Sequence, residues 1–263
     1  MPLVRFVDEQ GEVCWGREHA DGAVELVVDG QPTGRAASVA RLLAPVAPTN
    51  VFCIGRNYPA HVAETGATTP EHPVVFMKPT TAVIGPGEPI RLPACQLHGP
   101  EVDYEGELAV VIGRAVRDVS VDEVLGCVLG YTVANDVSAR RWQKHAGGGQ
   151  WVRGKGFDTF CPLGPRLVLA SELVDPQALR LRTVLNGQTV QDASTAEMIF
   201  SVAQLLAFLS TDTTLLPGTV VLTGTPPGVG FVREPPLFLG PGDEVAVTID
   251  GIGELRNPVH GPS

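Results

Sequence analysis

Short apolar runs, each closed off by glycine, proline or an acid, recur along most of this chain: VFCIG, VVFMKP, ELAVVIG, GYTVAND, TVVLTG and EVAVTID. Each is too short for an ordinary globular helix and is rich in valine or isoleucine, which suits a pleated strand. The chain carries 30 glycines and 23 prolines with no collagen-like period, so these residues read as turns and loops. The runs do not alternate with helical patterns, as a doubly wound parallel sheet would require. The pattern predicts a mainly β chain with a few helices, of the α+β class.

Residues 3–28 read as a short β-meander, with turns at Gly11 and at Asp21-Gly22. SVARLLAPVAP suggests one short helix that its prolines terminate. A boundary near Pro48 divides the chain into a small β-rich N-terminal domain, 1–48, and a larger domain, 49–263. Two helices are expected further on. Ser120-Val-Asp-Glu123 has capping-box spacing and leads into VLGCVLG. Ser194-Thr-Ala-Glu197 repeats it, followed by Met198, Val202, Leu205, Leu206 and Leu209 at helical spacing, a stripe that reads as core. TIDGIGELRNPV reads as a closing hairpin turned at Asp250-Gly251. No solenoid repeat or low-complexity segment is evident.

The formal net charge of −10 disfavours nucleic acid and anionic lipid surfaces as partners, but not an acidic small molecule. Cys14, Cys53, Cys95, Cys127 and Cys161 are odd in number and form no C-x-x-C pair, so reduced thiols are expected, not a disulfide framework or zinc site. The first residues lack the apolar core of a signal peptide, and no apolar run approaches the ~20 residues of a membrane helix. The expected location is the cytoplasm.

VDYEGELAVVIG reads as one strand from Val102 to Gly113, with Asp103, Glu105 and Glu107 at alternate positions and therefore on one face. Ionised carboxylates about 7 Å apart repel one another. A solvated edge would explain them, but Ala109 and Val111 continue the same face, so the acidic end abuts apolar surroundings. Gly106, between two acids, marks close approach by another group. A divalent cation would relieve the repulsion. An all-carboxylate set with no nearby Cys or His suits Mg²⁺ or Mn²⁺ better than Zn²⁺. Spacing alone leaves further ligands open; Asp136, where GYTVAND passes from strand to polar turn, is a candidate.

With these stretches joined, the sequence resembles the fumarylacetoacetate hydrolase superfamily over about residues 50–260. The resemblance rests on IGRNYPAHVAETG, PVVFMKPTTAVIGPGEPI, VDYEGELAVVIG, GYTVANDVSARRWQ, RGKGFDTFCPLGP, LNGQTVQDASTAEMIFSVAQLLAFLS, PGTVVLTGTPPGVG and LGPGDEVAVTIDGIGELRNPV, in that order. The length and the small N-terminal segment resemble the short bacterial members: acylpyruvate hydrolases, oxaloacetate decarboxylases or tautomerases, and homoprotocatechuate-pathway isomerases. The resemblance implies a β-roll whose mouth holds one Mg²⁺ or Mn²⁺ on Glu105, Glu107 and Asp136, with Asp103 in a supporting place. It also implies a catalytic His61 and Glu64 pair on a lid helix, and a lysine, Lys155, facing the substrate. Arg140 and Gln143 fall on substrate-contacting positions. Thr225 and the backbone of LTGTPPGVG are placed to hold a carboxylate, and Lys78 in FMKP is a further substrate-side position. Pro59 and Arg141 depart from the commoner family residues. Pro59 still fits a first helical position.

Such enzymes act on 2-oxo or 2,4-dioxo acids, whose adjacent oxygens chelate a metal that then stabilises an enolate. C–C hydrolysis, decarboxylation and keto–enol tautomerisation share that enolate. Histidine as a residue type suits base catalysis near neutrality, so the His61/Glu64 pair places hydrolysis of an acylpyruvate first, with decarboxylation or isomerisation close behind. Other readings are a silent metal-binding scaffold, disfavoured because every candidate ligand and the lysine are retained, and a specialised enzyme of secondary metabolism. A homodimer is expected from the family. HAGGGQW, residues 145–151, reads as a flexible loop near the mouth.

Overall fold

The structure is a computed structural model describing residues 1–96, 99–146 and 149–262. The N-terminal segment forms β1 (Leu3–Val7), β2 (Val13–Glu18), β3 (Val24–Val28), β4 (Gln31–Ala36) and β5 (Arg41–Leu43). Next come β6 (Val51–Gly55), α1 (Pro59–Glu64), β7 (Val74–Lys78), β8 (Val83–Ile84), β9 (Ile90–Arg91), β10 (Val102–Asp103) and β11 (Gly106–Ile112). The middle of the chain supplies β12 (Val128–Asn135), β13 (Ser138–Ala139), α2 (Arg140–Lys144), α3 (Trp151–Lys155) and β14 (Cys161–Leu169). The rest contains β15 (Arg180–Leu185), β16 (Gln188–Ser194), α4 (Val202–Ser210), β17 (Val220–Leu222), β18 (Glu244–Ile249) and β19 (Gly253–His260).

A large sheet runs in the order β4-β3-β2-β1-β14-β12-β11-β17-β6-β7, with β5 on β1 and β8 on β14. A second sheet has the order β16-β15-β18-β19-β9, and β10 pairs β13 separately. Most pairings are antiparallel; β6 with β17, β8 with β14 and β9 with β19 are parallel. The β-rich reading therefore holds. The N-terminal meander joins the large sheet where Leu3 pairs Leu167.

Strand β11 is buried along its whole length because both faces are covered. Leu108, Val110 and Ile112 enter a core shared with Leu181, Val245, Val247, Ile249 and the α4 leucines. Ala109 and Val111 face a second cluster with Val51, Cys53, Leu163 and Leu222. At Gly106 the second sheet approaches β11 closely. A Cβ there would lie 2.2 Å from Thr183 Oγ1 and 2.9 Å from Val247 Cγ1, so only glycine fits.

Four local expectations change. SVARLLAPVAP contains strand β5, not a helix, because the β1 edge pairs with Arg41–Leu43 before Pro45 can matter. Ser120–Glu123 does not start an α-helix. Ser120 Oγ meets the Glu123 carboxylate at 2.8 Å, a 3₁₀ turn covers Val124–Cys127, and the apolar run beyond is taken into β12 between β11 and β14. The second helix begins later than expected: Ser194–Glu197 caps a 3₁₀ turn, and a second capping box, Ser201 with Gln204, starts α4. Val202, Leu205, Leu206 and Leu209 are buried as expected, while Met198 packs on the core from outside the helix. Finally, Val102–Gly113 is two strands with a break at Tyr104 and Glu105.

Candidate metal and substrate site

The β11–β12 pairing assembles the acids. Gly106 pairs Asn135 and Glu107 pairs Ala134. Asp136 N donates to Glu105 O at 2.8 Å, and Glu105 N donates to Asn135 Oδ1 at 3.0 Å. Glu105 and Glu107 thus share a face, with Asp136 across from one and diagonal to the other. One carboxylate oxygen from each lies within 4.8 Å of the others, and all three residues are buried.

Asp103 does not join them. The strand break turns it toward Arg140, with Asp103 Oδ2 2.9 Å from Nε and 2.8 Å from Nη2. It also accepts from the amides of Gly230 at 2.8 Å and Phe231 at 3.0 Å. Arg140 Nη1 reaches Glu105 Oε1 at 2.6 Å and Gln143 Oε1 at 3.0 Å.

Lys155, at the end of α3, is fully buried. Its Nζ donates to Glu105 Oε2 at 2.8 Å, to Asp136 Oδ2 at 2.7 Å and to Ser138 Oγ at 2.7 Å. Lys78 lies beneath Asp136. It contacts Oδ1 at 2.6 Å and donates to the carbonyls of Val137 at 2.9 Å and Phe160 at 2.8 Å. It does not line the cavity, so its visible work is to hold Asp136, not to meet a substrate.

The charges do not balance. Asp103, Glu105, Glu107 and Asp136 are buried against Arg140, Lys155 and Lys78, four acids to three bases. Among the described residues, Glu107 is the acid of this set with no cationic partner; its Oε2 accepts from the Gly224 amide at 2.7 Å. Burial, then Asp136 and Glu105, push its pKa well above the ordinary range. Burial would raise Glu105 too, but Lys155, Arg140 and then His61 outweigh it and hold that carboxyl well below the ordinary range. Lys155 runs against its own burial, since Asp136 and Glu105 raise its pKa. A three-oxygen set with an uncompensated carboxyl fits a hard divalent cation.

A cavity of about 230 Å³ opens above this floor, and His61, Glu105, Arg140, Gln143, Lys155 and Thr225 help line it. Pro59 occupies the first turn of α1, as its fixed φ allows. His61 Nδ1 lies 2.8 Å from Glu64 Oε1. A carboxylate can only accept, so neutral His61 carries its proton on Nδ1 and keeps Nε2 as an acceptor. Glu64 Oε2 in turn accepts from the Gly228 amide at 2.9 Å, tying α1 to the loop after β17. Thr225 Oγ1, in that loop, donates to Gly106 O at 3.0 Å and accepts from Gln191 Nε2 at 2.8 Å.

Several participants were not singled out in the sequence. Asn57 anchors the approach to α1 by donating to Phe200 O and Thr223 O, at 3.0 and 2.8 Å. Gln191 ties Gly106 to Thr225. Arg56, Lys144, Trp151 and Phe231 line the cavity. Arg56 precedes Asn57 in the quoted IGRNYP and Lys144 follows Gln143, so proximity to named residues was their only signal. In HAGGGQW, Gly149 lines the cavity, while Gly147 and Gly148 lie outside the described residues.

Fold and site together define a class: a β-rich chain with three convergent carboxylates beneath a small cationic cavity. Residues 50–260 match the family described as fumarylacetoacetate (FAA) hydrolase C-terminal, and the chain belongs to that family, within a superfamily of enzymes. It is 49% identical over 229 residues to Protein Rv2993c of Mycobacterium tuberculosis, covering 86% of this chain and 82% of the relative. It is 47% identical over 219 residues to the mitochondrial oxaloacetate tautomerase fahd2 of Xenopus laevis, covering 83% and 68%. Among solved structures, 5-carboxymethyl-2-hydroxymuconate delta-isomerase from Mycobacterium smegmatis superposes with a TM-score of 0.86 at 43% identity, each chain covered in full. No helix among the described residues is long and apolar enough to cross a membrane.

Proposed function

We propose that this protein is a Mg²⁺- or Mn²⁺-dependent keto–enol tautomerase or isomerase of a small 2-oxo acid, with oxaloacetate the first substrate to test. The observation that carries this reading is the buried Glu105, Glu107 and Asp136 cluster beside Lys155. The relatives named as an oxaloacetate tautomerase and a delta-isomerase favour it over the acylpyruvate hydrolysis that the sequence put first. The remaining expectations, a homodimer in the cytoplasm acting on a small anionic acid, accompany this reading.

Glu105, Glu107 and Asp136 would hold the cation, which when bound supplies a Lewis acid for the ketone and carboxylate oxygens of the substrate. Lys155 presents an ammonium beside Glu105 and Asp136, where it steadies negative charge on an enolised substrate. Tautomerisation removes a proton from the carbon next to the ketone and returns one to oxygen. His61 accepts at Nε2 and, once protonated, is stabilised by Glu64 across the Nδ1 bond. Arg140 and Gln143 border the cavity and orient the acid.

Oxaloacetate enol–keto exchange, followed by ultraviolet absorbance with Mn²⁺ and with chelator, tests this. Expected are metal-dependent acceleration and a loss on the order of 100-fold or more in Glu107→Gln. Exchange that survives chelation at the parent rate defeats the proposal. A second reading, C–C hydrolysis, draws on the same His61–Glu64 pair, which could activate water; cleavage of acetylpyruvate that depends on His61 would favour it.

A further inference from the structure

The cations around the cavity differ in how far they are already neutralised. Arg140 and Lys155 are committed to Asp103, Glu105 and Asp136. Lys144 and Arg56 line the same cavity, and neither makes an ion pair with an acid among the described residues. Lys144 ends α2, four residues after Arg140, and so lies on the same helix face. Its Nζ sits 3.7 Å from the centroid of the Phe231 ring, and Arg140 Cζ sits 4.5 Å from that ring. Arg56 holds a left-handed φ of 58° and stands 5.9 Å from the Trp151 centroid. The neighbouring Gly55 has no room for a side chain, since a Cβ would come within 2.6 Å of Trp151 Cζ3. Aromatic walls thus keep both cations beside the cavity.

The charge balance gives these cations a use. The inner acids exceed their bases by one, so a bound dication leaves an excess of one positive charge there. A single 2-oxo carboxylate cancels that excess. Nothing else in a monocarboxylic substrate would meet Lys144 or Arg56. Consistent with a shortage of negative charge, burial, then Arg140 and Arg56, lower the Lys144 pKa, against a weaker pull from Glu105 and Asp103.

We propose that Lys144 is a specificity-determining residue. It receives a second, distal carboxylate, with Arg56 reinforcing it, so that the site selects dicarboxylic over monocarboxylic 2-oxo acids. This rests on the 2-oxo acid reading given above and adds to it the residue that recognises the far end of the substrate.

The test compares two stable acids of equal chain length, 2-oxoglutarate and 2-oxopentanoate, which differ only in a terminal carboxylate or methyl. Binding to Mn²⁺-loaded protein is measured by calorimetry for the parent, Lys144→Met, Lys144→Glu and Lys144→Arg. The parent is expected to bind 2-oxoglutarate roughly tenfold more tightly, the size of a partly exposed charge contact shared by two cations. Lys144→Met should reduce that preference to about threefold and leave 2-oxopentanoate binding within about twofold of the parent. Lys144→Glu should abolish or invert it, and Lys144→Arg should keep it. A merely structural lysine would change both ligands together. Equal binding of the two acids to the parent, or an unchanged preference in Lys144→Met, overturns the assignment while leaving the 2-oxo acid site standing. Binding of neither acid overturns both.

Discussion

Glu107 is a buried carboxyl beside two other acids, and among the described residues its hydrogen-bond partner is the Gly224 amide. Replacing it by glutamine in metal-free protein should therefore cost little stability at pH 7, or raise it, because a repulsive group is removed. The same variant should lose the thermal stabilisation that Mn²⁺ gives the parent, and paired melting curves with and without the ion check both outcomes. Lys144 supplies a pH prediction. Its pKa lies below the ordinary lysine value because of burial, Arg140 and Arg56, with Glu105 and Asp103 opposing. A distal carboxylate favours the protonated amine, so the preference for a dicarboxylate is full below that pKa and lost as pH rises through it. Titrating the 2-oxoglutarate to 2-oxopentanoate affinity ratio should show the decline beginning below the value of an unperturbed lysine. His61 and Glu64 were legible as a pair because three-residue spacing on a helix puts side chains together. The Gly228 amide that fixes the other Glu64 oxygen lies 164 positions away, beyond the reach of any local pattern.

Among the elements, β11 depends on one glycine. Gly106→Ala forces a methyl into Thr183 Oγ1 and Val247, and overpacking of this kind costs about 1–3 kcal/mol. Chemical denaturation should show that loss. Mn²⁺ affinity should fall with it, because the acids flank the displaced residue. The glycine was readable as a place of close approach, whereas Thr183 and Val247 come from a different sheet. Helix α4 shows the reverse balance: its apolar stripe was plain, and its start was displaced by competition between two capping boxes. The run after Ser120 had a helix-start signal of its own, yet β12 claimed it. A strand between two partners satisfies more backbone than a glycine-interrupted helix would.

For the whole molecule, occupancy of the acid cluster and stability should be linked. A cation at 100 times its dissociation constant adds about 2.7 kcal/mol by mass action. For a chain of this size that corresponds to a melting-temperature rise on the order of 5–10 °C, reversed by chelator. No response of melting temperature to Mg²⁺ or Mn²⁺ would exclude the cluster as a cation site. The two sheets meet at the site, so local damage there should spread: both cores include residues of β11.

From its sequence alone this chain declared a mainly β architecture, the alternating acids Asp103, Glu105 and Glu107, the apolar stripe of α4 and the three-residue spacing of His61 and Glu64. Each of those is a matter of period or spacing, and backbone geometry converts period directly into shared faces. Only the tertiary structure decided that Asp103 turns to Arg140, that Lys78 works beneath Asp136, and that Glu107 has no cationic partner among the described residues. Those outcomes depend on which charges meet at 3 Å after strands distant in the chain have packed, and Coulomb energy is set by that distance, not by order along the sequence.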